Sequence, residues 1–269
     1  MSNLADIVAA TRRKVGERRL KADVRQLERR AALHVPRGFR KRLEWASKAG
    51  LAVIAELKKA SPSRGLIRQD FDAAKLAREL EKGGAAALSV LTDEEFFQGS
   101  LGNLRIASDE TKLPCLRKDF IVDEFQILEA RANRADAILL IVAALSKSEL
   151  EELVAKADDT ELDVLCEVHD ENELRRALDA GCNLIGVNSR DLRTFKVDIQ
   201  TALRLAEKIS EEVLAVAESG IGSGNDIARL RSAGYQAFLI GETLMRASSP
   251  GKALQELLAE AVSSVSVTK

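Results

Sequence analysis

Residues that carry metal and redox chemistry are scarce in this chain: two histidines, three cysteines and two methionines among 269 residues. Cys115, Cys166 and Cys182 make an odd number without metal-like spacing, which argues against a metal centre. Cys115 and Cys166 sit inside apolar runs and read as small core residues, and a reducing cytoplasm is the expected location. Neither sign of charge is in excess. The 41 basic and 42 acidic side chains give a net charge of −1, which leaves no electrostatic footprint for a nucleic acid. Long apolar runs are also missing. The longest, Ala137–Leu145, has nine residues and is too short to span a bilayer. Residues 1–13 lack a signal-peptide hydrophobic segment. Neither nucleic acid nor membrane is therefore an expected partner. No Pro-, Gly- or Ser-rich linker divides the chain. With 46% hydrophobic residues, the chain can bury a large core.

What is present is a repeat of short apolar runs: Ala52–Leu57, Ala86–Leu91, Pro114–Arg117, Ala137–Val142, Val164–Val168, Leu184–Asn188, Val213–Glu218 and Ala237–Gly241. Their starts lie 34, 28, 23, 27, 20, 29 and 24 residues apart. Most are continuous rather than alternating, as parallel strands buried on both faces require. Helical patterns lie between them. Phe71–Lys82 ends at Gly83-Gly84, and Asp123–Ala132, Ser146–Ala157, Glu171–Ala180 and Asn225–Ala233 follow the same plan. Ser146 with Glu149 has the form of a capping box. Eight such units predict an α/β chain folded as a single-domain (β/α)8 TIM barrel, residues 49–265. An open doubly wound sheet would also alternate, but no Gly-x-Gly-x-x-Gly follows the first run. Residues 1–48 stand outside the repeat, and the spacing of Leu4, Ile7, Val8 and Val15 predicts an N-terminal helical extension packed on the barrel. Trp45 is expected to pack that extension down, and His34 to have no chemical role.

Side chains alternate along a strand, so Glu56 and Lys58 project from the same face as Ile54. Charges that end a buried strand are costly without partners or ligand. Lys118, Glu167, Asn188, Arg190 and Glu218 stand in equivalent places on later runs. Strand ends carry the catalytic loops of this fold, and acids and bases confined together can separate their pKa values for proton transfer. A second pattern is anion-seeking: Glu218-Ser-Gly-Ile-Gly-Ser-Gly224 follows the seventh run, and Leu239-Ile-Gly-Glu-Thr243 the eighth. Glycine lets the backbone approach a phosphate closely, and Lys58 or Ser61 is placed to complete the grip. Third, Phe96, Phe97, Phe120, Leu139, Leu192, Phe195 and Ile221 form a candidate apolar wall for a flat ring. His169 follows Glu167 by two residues, but Val-His-Asp-Glu reads as a helix entry with Asp170 as its cap.

Taken together, these segments resemble indole-3-glycerol-phosphate synthases over residues 3–262. The matching motifs are Glu56-Leu-Lys-Lys-Ala-Ser-Pro-Ser63, Leu91-Thr-Asp-Glu-Glu-Phe-Phe-Gln-Gly-Ser100, Leu116-Arg-Lys-Asp-Phe120, Leu139-Leu-Ile-Val142, Cys166-Glu-Val-His169, Gly186-Val-Asn-Ser-Arg-Asp-Leu192 and Ala217-Glu-Ser-Gly-Ile221. The resemblance implies conversion of 1-(2-carboxyphenylamino)-1-deoxyribulose 5-phosphate to indole-3-glycerol phosphate in tryptophan biosynthesis. It implies no cofactor and no metal. By the same match Lys118 is the general acid and Glu167 the general base. Glu56 and Lys58 support proton transfer, with Lys58 also facing the phosphate. Asn188 and Arg190 lie near the substrate carboxylate and hydroxyls, and Glu218 with Ser219 forms a further polar pair. Ser61, Gly220, Gly241 and the backbone of Glu242 hold the phosphate, and Phe97, Phe120, Leu139, Leu192 and Ile221 form the anthranilate pocket. Two positions depart from the family pattern. Arg134 stands where glycine is usual after a helix, and Glu242 where some members have serine. A monofunctional monomer is expected. Two other readings remain open: a phosphate-binding isomerase of the same pathway, which would need an aspartate and a cysteine at strand ends, and an inactive barrel kept as a scaffold.

Overall fold

The structure, a computed structural model, describes residues 4–191 and 194–266. Eight parallel strands close a barrel: β1 Ala52–Leu57, β2 Ala87–Leu91, β3 Cys115–Lys118, β4 Ala137–Ile141, β5 Asp163–Val168, β6 Leu184–Asn188, β7 Leu214–Glu218 and β8 Ala237–Ile240. β8 pairs with β1, so no strand edge is left open. Alternation along each strand sorts the core into two layers. Ile54, Leu116, Leu139, Leu165, Val216 and Leu239 fill the barrel interior. Val53, Ala55, Leu88, Ile138, Cys166, Val187 and Phe238 face the surrounding helices. The predicted barrel is thus the observed one, with no strand limit moved by more than one residue.

The chain opens with α1 Leu4–Lys21, α2 Val24–Ala32 and α3 Phe39–Ala49. Around the barrel run α4 Ala73–Lys82, α5 Leu101–Glu110, α6 Glu124–Ala132, α7 Lys147–Asp159, α8 Glu171–Asp179, α9 Gln200–Ala206 and α10 Gly224–Ser232. A short helix, Glu242–Arg246, and α11 Pro250–Ser266 follow β8. Several start on side-chain caps. Asp72 accepts from the Lys75 N–H, Asp170 from Glu173, and Ser146 forms the capping box expected with Glu149. Arg134 has φ +65°, the left-handed conformation in which glycine is free of Cβ strain.

The three opening helices reach both ends of the barrel. Phe39, Leu43 and Ala46 of α3 lie on one face and close the bottom of the interior layer. Trp45 lies on the opposite face. It is 61% exposed with the Arg42 guanidinium 4.6 Å from its ring centroid, so Phe39 and Leu43 do the packing expected of it. The linker between α2 and α3 is pinned by Asp136, which is fully buried. Its carboxylate accepts from Arg37 N at 2.7 Å, Arg37 Nη2 at 2.5 Å and Cys115 N at 2.7 Å, with His34 Nε2 at 3.3 Å. His34 therefore anchors the extension. Cys166 and Cys182 differ from expectation: adjacent strands bring them together, and they form a disulfide with Cα atoms 6.5 Å apart. Cys115 is the buried free thiol.

Asp136→Ala strips the partner from the partly buried Arg37 guanidinium and from a buried peptide N–H. It is expected to destabilise the protein by about 3–5 kcal/mol, read as a lower urea midpoint with an unchanged slope.

Candidate active site

At the C-terminal ends of the strands lies a cavity of about 470 Å³. β1 delivers Glu56 and, just beyond its end, Lys58. β3 delivers Lys118, β5 Glu167, β6 Asn188 and β7 Glu218, all into this one space. Lys118 Nζ lies 3.0 Å from Glu167 Oε2 and 3.6 Å from Glu218 Oε2. Lys58 Nζ lies 2.6 Å from Glu56 Oε1. All three glutamates are almost fully buried. The Asn188 side chain hydrogen-bonds Glu167, and its Oδ1 accepts from Arg190 N at 3.0 Å.

Electrostatics follows from this crowding. Burial opposes the charge on Lys118, yet Glu167, Glu218 and Glu56 together hold its pKa well above the ordinary lysine value. Burial likewise works against the Glu167 carboxylate, but Lys118 outweighs it and keeps Glu167 well below the usual carboxylate range. Glu218 goes the other way. Burial, reinforced by the charges of Glu167 and Glu56, outweighs the more distant Lys118 and pushes it up to about 8. The site thus holds an ammonium, an ionised carboxylate and a protonated carboxyl within a few ångströms, an arrangement suited to proton transfer.

Two inward glycines make room for this cluster. A Cβ on Gly186 would lie 2.0 Å from Glu218 Oε1, and one on Gly241 would lie 2.3 Å from Glu56 Oε1. Gly220 serves differently. It has φ +80°, and a Cβ there would meet Val197 Cγ1 at 2.7 Å. Its neighbour Ser219 is also left-handed, at φ +65°.

Around the cluster, Ser61, Gly220, Gly241 and Glu242 line one side of the cavity, with Lys58 between them and Glu56. Ser61 sits in a two-stranded hairpin, Ala60–Ser61 with Gly65–Leu66. Phe97, Phe120, Leu139 and Ile221 line the apolar side, and the rings of Phe97 and Phe120 are 6.2 Å apart. Phe195 joins them, Phe96 does not, and Leu192 lies outside the described residues. Ser219 and Arg190 complete the expected set.

Sequence reasoning missed several contributors. Leu4 and Ile7 of α1 line the cavity, although their helical spacing spoke only of packing. Arg64 and Arg246 were not singled out. Glu242 gathers them with Arg190, at 3.1 Å from Arg64 Nε, 3.1 Å from Arg246 Nε and 3.7 Å from Arg190 Nη2. A third omission is Arg117, which leaves β3 on the side opposite Lys118. It is 1% exposed and pairs with Asp119 at 2.9 Å and Glu129 at 3.4 Å. No described residues are grouped as a three-ligand metal site of His, Cys, Asp or Glu.

The model of the indole-3-glycerol phosphate synthase family matches residues 4–257. This chain belongs to that family. Among its relatives is the indole-3-glycerol phosphate synthase of Koribacter versatilis (strain Ellin345), 60% identical over 96% of this chain and 99% of that one. The synthase of Acidithiobacillus ferrooxidans (strain ATCC 53993 / BNL-5-31) is 49% identical over 94% and 97%. Solved structures extend the likeness to the fold alone. A mandelate oxidase superposes with TM-score 0.62 at 19% identity, covering 79% of this chain and 73% of its own. A thiamine phosphate pyrophosphorylase from Pyrococcus furiosus superposes with TM-score 0.59 at 19% identity, covering 82% and 99%.

Gly186→Ala is expected to lower the melting temperature only modestly, because the atoms that must give are the ends of the Glu218 and Leu165 side chains rather than backbone. Turnover should fall about 10- to 100-fold, and Gly186→Ala in a Glu218→Ala background should cost no further activity. A separate expectation concerns pH. The Glu218 pKa lies above its ordinary 4.5, at about 8. Its stabilising contribution is therefore full below 4.5 and is lost as pH rises through 8. Melting curves of Glu218→Gln should show a flatter decline with pH across that window.

Proposed function

We propose that this chain catalyses the reaction for which its family is named: closure, decarboxylation and dehydration of 1-(2-carboxyphenylamino)-1-deoxyribulose 5-phosphate to indole-3-glycerol phosphate. The observation that carries the reading is the buried Lys118 ammonium, shared between Glu167 and Glu218 and flanked by an apolar wall. Ring closure needs the substrate ketone polarised and its oxygen protonated while the aromatic ring attacks. Lys118, held charged above all by the Glu167 carboxylate, is the acid. Dehydration then needs a base to take a proton from the carbon beside the nitrogen, and Glu167 is that base. Its depressed pKa reflects the resting ion pair. Once Lys118 has given its proton away, the neutral amine no longer stabilises the carboxylate, and Glu167 becomes more basic.

The remaining residues bind and orient. The aryl ring lies against Phe97, Phe120, Leu139 and Ile221. Surrounding the aryl carboxylate with apolar groups favours its departure as carbon dioxide. Asn188, Arg190 and Ser219 meet the hydroxyls and the carboxylate. Glu56 orients Lys58, and Ser61, Lys58, Gly220 and Gly241 hold the phosphate. Arg64, Arg190 and Arg246, which gather on Glu242 in the free protein, are drawn toward the arriving dianion. We also place the enzyme in the cytoplasm, where its phosphorylated substrate would be retained.

The isomerase alternative needs a reactive thiol at a strand end. Cys115 faces the outer layer, where burial pushes its thiol up to about 12. Cys166 and Cys182 are bonded to each other, and none of the three lines the cavity.

Incubation with the carboxyphenylamino-deoxyribulose phosphate should give rising indole fluorescence. A folded sample that produces none would refute the reading. Lys118→Ala and Glu167→Gln should each lower turnover at least about 100-fold while substrate still binds, as read by titration calorimetry. Near-normal rates in either variant would remove that residue from its role.

A further inference from the structure

Beside Glu167, at the end of β5, stand two further titratable groups, His169 and Glu173. β5 ends at Val168, and the next residue, His169, lies between Glu167 and the first turn of α8. Its Nδ1 lies 3.0 Å from Glu173 Oε2, an oxygen that also accepts from the His169 N–H at 2.8 Å. Its Nε2 faces Glu167 Oε1 at 3.5 Å and is buried with no hydrogen-bond partner. The other oxygen of Glu167 lies 3.0 Å from Lys118 Nζ. Glu173, His169, Glu167 and Lys118 therefore stand in one file of titratable groups. Glu173, at the outer end of the file, is partly exposed to solvent but does not itself line the groove beside it. His169 lines that groove, which lies between α8 and α9 and shares no lining residue with the central cavity, and Asp170, Glu171 and Arg204 on its walls are exposed.

The proposed reaction has an unbalanced proton. Two protons go to the ketone oxygen, which leaves as water, and one returns from the carbon beside the nitrogen. The aryl carboxylate departs as carbon dioxide, so each turnover consumes one proton from solvent. Substrate fills the cavity mouth while that proton is needed.

We propose that His169 is a positioning residue through which this proton travels from solvent at the partly exposed Glu173 to Lys118, by way of Glu167. The inference rests on the reading of Glu167 and Lys118 as base and acid. Glu173 takes a proton from water and gives it to His169 Nδ1. Nε2 releases its own proton to Glu167 Oε1, and the carboxyl, turning about its Cγ–Cδ bond, passes it to the neutral Lys118 amine. No oxidant or co-reactant is involved. The groups that face His169 are Glu167 on β5, Glu173 on α8, Glu218 on β7 and Lys118 on β3. Across the groove stand Asp170, Glu171, Arg204, Glu207 and Lys208. Burial opposes a charge on the imidazole, but the Glu173 hydrogen bond and the Glu167 carboxylate raise its pKa above the ordinary histidine value. It is therefore a competent donor near neutral pH.

The test is steady-state turnover of His169→Gln and Glu173→Gln against wild type and Glu167→Gln, across pH and in light and heavy water. Both variants should lose at least about 10-fold in kcat with KM within about twofold. Their solvent isotope effect on kcat should exceed that of wild type. In wild type kcat should fall as pH rises through the His169 pKa, and that limb should vanish in His169→Gln. Glu173→Gln leaves the ring in place and tests the outer step even if His169→Gln folds poorly. Unchanged kcat in both variants would overturn the relay, and so would a loss of kcat without change in isotope effect or pH profile, which marks a merely structural role. Full activity in Glu167→Gln would instead overturn the assignment of the base.

Discussion

Lys118 stands at the top of the barrel with Glu167 at 3.0 Å, Glu218 at 3.6 Å and Glu56 within electrostatic reach, all nearly removed from water. Three carboxylates around one ammonium in low dielectric cannot all ionise, and the desolvation of each is too large to leave unmatched. The surroundings are built to satisfy this. Lys58 takes Glu56, Glu218 keeps a proton, and glycines at 186 and 241 leave space that any side chain would fill. The backbone on either side of Lys118 is clamped from outside. Arg117 and Asp119 pair with each other, Arg117 donates to the Gln126 carbonyl, and Thr92 donates to Asp119. Lys118 reaches inward from a peptide whose neighbours are both held on the helix side, and its ammonium has little freedom to leave the carboxylates.

That clamp also explains how α1 relates to the chemistry. Glu129, which accepts from Arg117, also accepts from Arg18 Nε and Nη2 at 3.0 Å. Leu4 and Ile7, at the other end of α1, border the cavity. One helix thus touches the mouth and braces the strand that carries Lys118. At the opposite end of the barrel, α3 fills the interior with Phe39 and Leu43, so the charged cluster rests on a continuous apolar column.

The barrel was legible because its signal is repetitive. Eight apolar runs at similar spacing, each needing cover on both faces, leave few architectures. Glu56, Lys118, Glu167 and Glu218 were legible because period-two alternation fixes their face once the strands are placed. Features that depend on neighbours distant in sequence were not. Arg64 and Arg246 read as ordinary surface arginines until Glu242 is seen between them. The Cys166–Cys182 pair depends on the adjacency of β5 and β6. Trp45 was misjudged because size suggests burial, whereas helical phase puts Phe39, Leu43 and Ala46 on the inner face. Gly186 carries no turn signal. Its reason is a carboxyl from the next strand, which sequence spacing does not reveal. α5 and α9 were not picked out either, since neither shows the clear apolar stripe of its neighbours.

The contacts of the opening helices span most of the chain. Arg18 meets Glu129, Arg37 meets Asp136, Arg12 meets Glu149 at 2.7 Å, and Arg40 reaches the carbonyls of Asn183 and Glu212. During synthesis these helices precede their docking partners by a long stretch of chain, 111 residues in the case of Arg18 and Glu129. Until those partners are made the apolar faces of α1 and α3 have nothing of their own to cover. These helices are made well before they can be seated, and their apolar faces stay uncovered in the interval.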